Sequence, residues 1–176
     1  MSSGRRGDRL PTDFASSLIT LTTFRAMSSP TDEKIYDSPT GWVARHIDEY
    51  VASDGREGHR WKGTDTLLLT TRGRKTGKLR RSALIYGRDG DDYVVVASKG
   101  GAPAHPAWYL NLRDEPEVLV QVGPDVFPGR ARTVTGAERD RLWEQMAAIW
   151  PDYDNYQKKT EREIPIVAIQ PEGASS

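Results

Sequence analysis

Cysteine is absent from this 176-residue chain, which excludes disulfides, thiolate nucleophiles and cysteine-ligated metals together. Histidine is scarce: His46, His59 and His105 are the only three, and no metal-ligand spacing links them, so no metal site is expected. Net charge is missing too. Twenty-five basic and 25 acidic side chains cancel, so no overall field draws the molecule onto nucleic acid or anionic lipid. Any anion site must come from local clustering. No run approaches the ~18–20 consecutive apolar residues of a spanning helix. The mildly apolar segment 14–24 is broken by Ser16, Ser17, Thr20, Thr22 and Thr23, and it lacks an Ala-x-Ala cleavage site, which argues against a secretory signal. A reducing, cytoplasmic setting fits the lack of cysteine.

What is present is an ordinary globular composition, with 36% hydrophobic and 28% charged residues. The length suits one domain, since domains usually run to roughly 100–200 residues. Met27, followed by Ser28, Ser29 and Pro30, offers a second start, so residues 1–26 read as an extension outside the fold. The expected organisation is an extended or disordered segment over 1–34, a domain over 35–171 and a tail over 172–176.

Ser38-Pro39 reads as an N-cap and first-turn pair for a helix over about 40–53, in which Val43, Ile47, Tyr50 and Val51 recur at helical spacing. Asp54-Gly55 ends it. The apolar, β-prone runs 66–71 and 82–87 then form a hairpin whose tip is the basic stretch 72–81. Further strands are expected at 93–97, 117–122, 126–134 and 164–169, with a short helix near 105–112. Thr135 and Glu138 have the spacing of a capping box ahead of a helix carrying Leu142, Met146 and Ile149 on one face. A second short helix restarts at Trp150-Pro151. Six strands joined mostly by turns, without regular strand–helix alternation, argue against a Rossmann sheet and for a closed or split antiparallel barrel with peripheral helices.

Three segments carry chemistry. The tip holds Arg72, Arg74, Lys75, Lys78, Arg80 and Arg81, with Gly73 and Gly77 letting the backbone turn close to a ligand. Such convergence can cradle a phosphate, or it can be a solvated hairpin end. A Walker A loop is excluded, because the glycine spacing is one residue short and Leu79 stands where a hydroxyl residue is required. A nucleic-acid patch would need stacking aromatics that this segment lacks. Next, Ala97-Ser98-Lys99-Gly100-Gly101 leaves a buried strand for two glycines, either as a plain loop or as a turn offering N–H groups to ring carbonyls. Pro106 opens a helix with adjacent Trp108 and Tyr109, one for the core and one for a ligand. Finally, Trp150, Tyr153 and Tyr156 make an aromatic stripe, suited either to core packing or to a polar-tipped wall for a flat substrate.

Taken in order, Thr70–Gly77, Val95–Gly101, Pro106–Leu112, Trp150–Tyr153 and Ile164–Val167 closely resemble the deazaflavin-dependent nitroreductases of actinobacteria, which are coenzyme F420-dependent quinone reductases. The resemblance covers about 35–171. It implies an α+β, split β-barrel fold and hydride transfer from reduced F420 to a quinone or related acceptor. It also implies that Arg74, Lys75, Thr76 and Arg80 hold the coenzyme phosphate, and that Arg81, Ser82, Ala83, Leu84 and Ile85 run along the ribityl chain and ring. Val96, Ala97, Ser98 and Lys99 match the ring-binding turn, and Ala107, Trp108, Tyr109, Leu110 and Asn111 match a second group of coenzyme contacts. Tyr153 falls at the substrate side of the ring, and Ser98, Tyr153 and Tyr156 are the catalytic candidates. Ile85 and Trp150 stand where nitroimidazole-activating relatives look tyrosine-rich, which counts against nitroimidazole activation. No nucleic-acid partner is implied. A quinone acceptor brings peripheral contact with the inner face of the membrane into view, and the oligomeric state stays open. The rivals are an FMN-dependent split-barrel reductase and a non-catalytic protein that sequesters F420 or FMN.

Overall fold

The computed structural model describes residues 33–39 and 41–172. The expectations for residues 1–32 and for 173–176 lie outside them. Strand β1 (Ile35–Asp37) leads into helix α1 (Gly41–Ala52), then β2 (Arg60–Trp61), β3 (Thr64–Arg72), β4 (Leu79–Ile85), β5 (Gly87–Asp89) and β6 (Asp92–Val96). Helix α2 (Ala107–Asp114) follows, then β7 (Glu117–Val122), β8 (Asp125–Thr133), α3 (Gly136–Ile149), α4 (Asp152–Lys158) and β9 (Ile166–Pro171). The result is a mixed α+β fold with one large sheet, ordered β1-β4-β3-β7-β8-β9-β6-β5, with β2 paired to β3. Among the described residues, only β1 and β4 pair in parallel. The sheet does not close among the described residues.

Among the described residues, nine strands stand where six were expected. Each of the six expected segments lies on a strand, and the three additions, β1, β2 and β5, are only two or three residues long. Strands that short cannot display an alternation to read. Two cap expectations fail. Helix α1 begins at Gly41, so Ser38 is not its N-cap; the Ser38 N–H instead donates to the Arg81 carbonyl at 3.1 Å and prolongs β1. Thr135 precedes α3 with extended backbone but makes no capping bond. Glu138 is drawn away by Arg132, whose guanidinium grips it at 2.7 and 2.9 Å, and a bidentate charge-assisted pair outcompetes a neutral cap.

Alternation along the strands distributes the core over both faces. From β3, Leu67 and Leu69 join Val95, Trp108, Leu112, Val118 and Ile169 on one side. Leu68 points the other way, under Ile47 and Tyr50 of α1. A separate cluster joins Val94, Val96 and Ile166 to Leu142 and Met146 of α3 and to Tyr153 of α4. Because helices cover both faces, β3 reads as a continuous apolar run rather than an alternating one. Tyr50 is fully buried yet satisfied, donating to the Thr66 carbonyl at 3.1 Å and accepting from the Gly123 N–H at 2.8 Å. Although β4 and β6 lie near opposite ends of the strand order, the sheet bends until they meet, with α1 against β4 and α4 against the turn that follows β6.

Candidate active site

There, a cavity of about 490 Å3 opens, within the roughly 300–1,000 Å3 usual for small-molecule sites. Ser82, Ala83, Leu84 and Ile85 of β4 form one wall, and Val96, Ser98, Lys99 and Gly100 form another. Trp108, Trp150, Tyr153 and Tyr156 complete it. Ten of the residues expected from sequence thus meet around one space: four from β4, three from the β6 end, Trp108, and the two tyrosines.

The backbone after β6 is unusual. Ser98 is right-handed (φ −79°, ψ −39°), and Lys99, Gly100 and Gly101 are left-handed at φ 47°, 62° and 82°. A right-handed residue followed by a left-handed one turns successive N–H groups toward a common point, a nest for an anionic or strongly polarised oxygen. The N–H groups of Ser98, Lys99 and Gly100 have no acceptor among the described residues, whereas those of Gly101 and Ala102 donate back to Ser98 and Lys99 at 2.9 and 3.1 Å. Holding a lysine at positive φ costs roughly 1–3 kcal/mol, and such strain concentrates at functional sites. The Ser98 hydroxyl makes no capping bond.

On the opposite wall Tyr153 is 5% exposed, and its hydroxyl has no hydrogen-bond partner among the described residues. Burial, and then the neighbouring Tyr156, push its phenol well above the ordinary tyrosine range, so it stays protonated. The Tyr156 hydroxyl accepts a long bond from Trp150 Nε1 at 3.5 Å. The aromatic stripe read from sequence therefore serves as both core and wall.

The hairpin tip lies farther along β4 and does not line the cavity. Its cations divide into two groups. Arg72 is paired with Glu33 at 2.7 Å and Arg81 with Asp37 at 2.7 Å. Arg74 is tied to Asn111, whose side-chain oxygen accepts from the Arg74 backbone N–H at 3.2 Å and from its guanidinium at 3.1 Å. Lys75, Lys78 and Arg80 form no salt bridge among the described residues. Thr76 sits at the tip, its hydroxyl accepting from the Lys78 N–H at 3.3 Å. Arg80 and Ser82 share a face of β4, about 7 Å apart at ~3.3 Å per residue, so the cationic end abuts the cavity.

Ala97, Ala107, Tyr109, Leu110 and Asn111 stand outside the cavity wall. Ala97 and Tyr109 belong to the core, Tyr109 pairing its hydroxyl with Thr133 at 3.0 Å. Asn111 acts as a bracket, binding Arg74 on one side and donating to the Thr71 hydroxyl at 3.2 Å on the other. Both members of the adjacent pair belong to the core, and Trp108 also reaches the cavity wall. Sequence reasoning missed Trp42, His46 and Trp61, which also line the cavity. Trp42 and Trp61 stack at 5.8 Å with planes 13° apart, and Trp61 meets Trp150 at 5.7 Å. Their only signal was isolated tryptophans in otherwise polar segments.

His105 makes a pH-dependent contribution. Burial first, then Arg162 and Arg113, hold its pKa below the ordinary 6.5, and its Nδ1 lies 3.0 Å from the Arg162 guanidinium, which can only donate. The native state therefore binds this proton less readily than the unfolded chain. The stabilisation is complete above the unfolded-state pKa and is lost as pH falls through the lower native value. Thermal denaturation should accordingly show a decline below about pH 6.5 that flattens in His105→Gln; an identical pH profile in both proteins would contradict the assignment.

In this α+β fold a nest and a buried phenol thus face one cavity, with a cationic strand end beside it. Residues 42–171 match the family model described as F420H(2)-dependent quinone reductase. An F420H(2)-dependent quinone reductase of Mycobacterium tuberculosis is 41% identical over 141 residues, covering 73% of this chain and 95% of that protein. A solved F420-H2 dependent reductase, FDR-A, superposes with a TM-score of 0.56 at 42% identity, over 60% of this chain and 93% of its own. The haem storage protein HutZ of Vibrio cholerae, at 18% identity and a TM-score of 0.51 over 62% of this chain and 82% of its own, shares the fold alone. The chain belongs to the F420H(2)-dependent quinone reductase family.

Proposed function

We propose that this protein transfers a hydride from reduced coenzyme F420 to a quinone-type acceptor within the cavity between β4, the Ser98 turn and α4, in a sheet curled as a split barrel. The observation that carries the reading is the pairing of open donors across that cavity: the nest and hydroxyl of Ser98 on one wall, the unpartnered phenol of Tyr153 on the other. The residues fit the coenzyme. Lys75 and Arg80, with Arg74 and Thr76 beside them, would hold its phosphate. Ser82 to Ile85 would follow its chain, and the Ser98–Gly100 amides would meet ring oxygens. When bound, F420 supplies a two-electron hydride donor, which the protein positions rather than replaces.

The chain's own contribution is orientation and electrostatics. Trp108 and Ile85 give the ring apolar surfaces, and Tyr153 and Tyr156 present an aromatic face to the acceptor. Holding both partners at near-attack distance removes much of the entropic barrier. An acceptor oxygen that gains negative charge can take a hydrogen bond from Tyr153 or Ser98. With its pKa raised by burial, Tyr153 is a donor of hydrogen bonds rather than of protons. Solvent supplies the one proton that completes the hydroquinone.

No helix among the described residues is long and apolar enough to cross a membrane. A cytoplasmic protein that meets its quinone at the inner membrane face is consistent with Trp42, 58% exposed beside the cavity. The test is direct. Mixing the protein with reduced F420 and menadione should restore the oxidised coenzyme's absorption, whereas a nitroimidazole in place of menadione should not. Tight F420 binding without turnover on any quinone would instead identify a carrier, and purified protein that is yellow with bound flavin would identify an FMN enzyme.

A further inference from the structure

Arg162, the partner of His105, has a wider set of contacts. It lies in the loop between α4 and β9, and its side chain enters the protein behind the Ser98 turn. Its Nε donates to the Ala102 carbonyl at 2.8 Å, Nη2 to the Ser98 carbonyl at 2.8 Å, and Nη1 to the Ala97 carbonyl at 3.3 Å and to His105 Nδ1 at 3.0 Å. One guanidinium therefore spans the turn from entrance to exit and also ties it to His105, two residues before α2. Its own backbone is fixed in turn: Gln157 of α4 donates to the Arg162 carbonyl at 2.8 Å and accepts from the Ile164 N–H at 2.9 Å.

The identity of those carbonyls matters. The Ala97 carbonyl and the Ser98 N–H belong to one peptide unit, and the Ser98 carbonyl and the Lys99 N–H to the next. Arg162 thus grips from behind the two peptides whose N–H groups open onto the cavity side of the nest. A cation bonded to a peptide oxygen polarises that peptide and strengthens its N–H as a donor, and linked hydrogen bonds reinforce one another. The same grip offsets the tendency of Lys99 to leave its left-handed conformation. Lysine cannot reproduce this arrangement, because a single ammonium lacks the planar fork that reaches three carbonyls at once.

We propose that Arg162 is the positioning residue of the coenzyme's ring site: it holds the Ser98–Gly101 turn in its donor-presenting conformation and polarises the Ser98 and Lys99 amides toward the ring. The inference rests on the F420 reading for its ligand and not for its structural half. The test compares wild type with Arg162→Lys, which keeps charge and stem, and Arg162→Met, which keeps only the stem, after thermal denaturation has verified that each is folded.

Amide hydrogen exchange in the coenzyme-free proteins should accelerate at Gly101 and Ala102, whose N–H groups are bonded within the turn, in both variants while the β3 and β7 amides stay protected. Fluorescence titration with oxidised F420, which needs no turnover, should give a dissociation constant raised about tenfold or more, the loss expected for roughly one charge-assisted hydrogen bond. The deazaflavin chromophore without its phosphate should lose affinity by the same factor, because the defect lies at the ring. Unchanged exchange at the turn together with wild-type affinity in Arg162→Lys would overturn the proposal, as would an effect confined to the phosphorylated coenzyme. If wild type itself fails to bind F420, the function reading falls, and the exchange comparison still decides whether Arg162 holds the turn.

Discussion

Lys75→Ala should bind oxidised F420 roughly ten- to a hundredfold more weakly than wild type, because a charge-assisted bond to phosphate contributes about 1.5–3 kcal/mol and ~1.4 kcal/mol is one decade. Arg80→Ala should behave alike, and Arg72→Ala should not, since Arg72 already spends its charge on Glu33. The residues divide by pairing rather than by position. Six cations crowd the tip in sequence, but carboxylates neutralise Arg72 and Arg81, so the remaining field comes from Lys75, Lys78, Arg80 and Arg74, the last held in place by the neutral Asn111 amide. Because the tip is exposed, the affinity lost in Lys75→Ala should shrink as salt rises. Fluorescence titration reads it directly, and wild-type affinity in Lys75→Ala would remove the phosphate assignment.

Within the Ser98–Gly101 turn, the largest effect on stability is expected at Gly101. A Cβ there would lie 2.6 Å from the Tyr156 carbonyl oxygen and 3.0 Å from its Cα, at φ +82°. Both partners are backbone, so the turn or α4 has to move. Gly101→Ala should cost roughly 2–5 kcal/mol, summing a left-handed penalty of about 1–2 with an overpacking cost of about 1–3. At about 2–4 °C per kcal/mol for a chain of this size, the midpoint should fall by roughly 4–20 °C. Gly100→Ala is the control: it has a similar φ of +62°, but nothing lies within 4 Å of its Cβ. It should lose only the conformational part. Equal midpoints for the two variants would mean that the turn and α4 are not in contact. Because α4 carries Tyr153 and Tyr156, Gly101→Ala should also weaken the acceptor wall more than Gly100→Ala does.

The structure clarifies which parts of this could be read from residues alone. The six longer strands and the helices announced themselves through periodicity and turn residues, and β7 fell on its expected bounds. Strands β1, β2 and β5 did not, because two or three residues carry no period, and β1 exists only through its pairing with β4. The failed caps at Ser38 and Thr135 share a cause: a local motif lost to a tertiary partner, Arg81 in one case and Arg132 in the other. In the site, Ser98 and Tyr153 were legible because a strand running into two glycines and a helical aromatic stripe are patterns in themselves. Which cations are neutralised was not legible, since Glu33 and Asp37 are 39 and 44 residues away from Arg72 and Arg81. Trp42, Trp61 and Arg162 were hidden for the same reason. Their significance lies in what the chain brings against them, not in their neighbours along it.

In the proposed complex one coenzyme spans the strand end and the turn, phosphate at Lys75 and Arg80, ring against Ser98 with Tyr153 across from it. A crystal structure of the protein with oxidised F420 tests this most directly. Phosphate oxygens should lie within hydrogen-bond distance of Lys75 or Arg80, and a ring oxygen should sit on the Ser98–Gly100 amides. A ring seated elsewhere, with the cavity between β4 and α4 left to solvent, would contradict it.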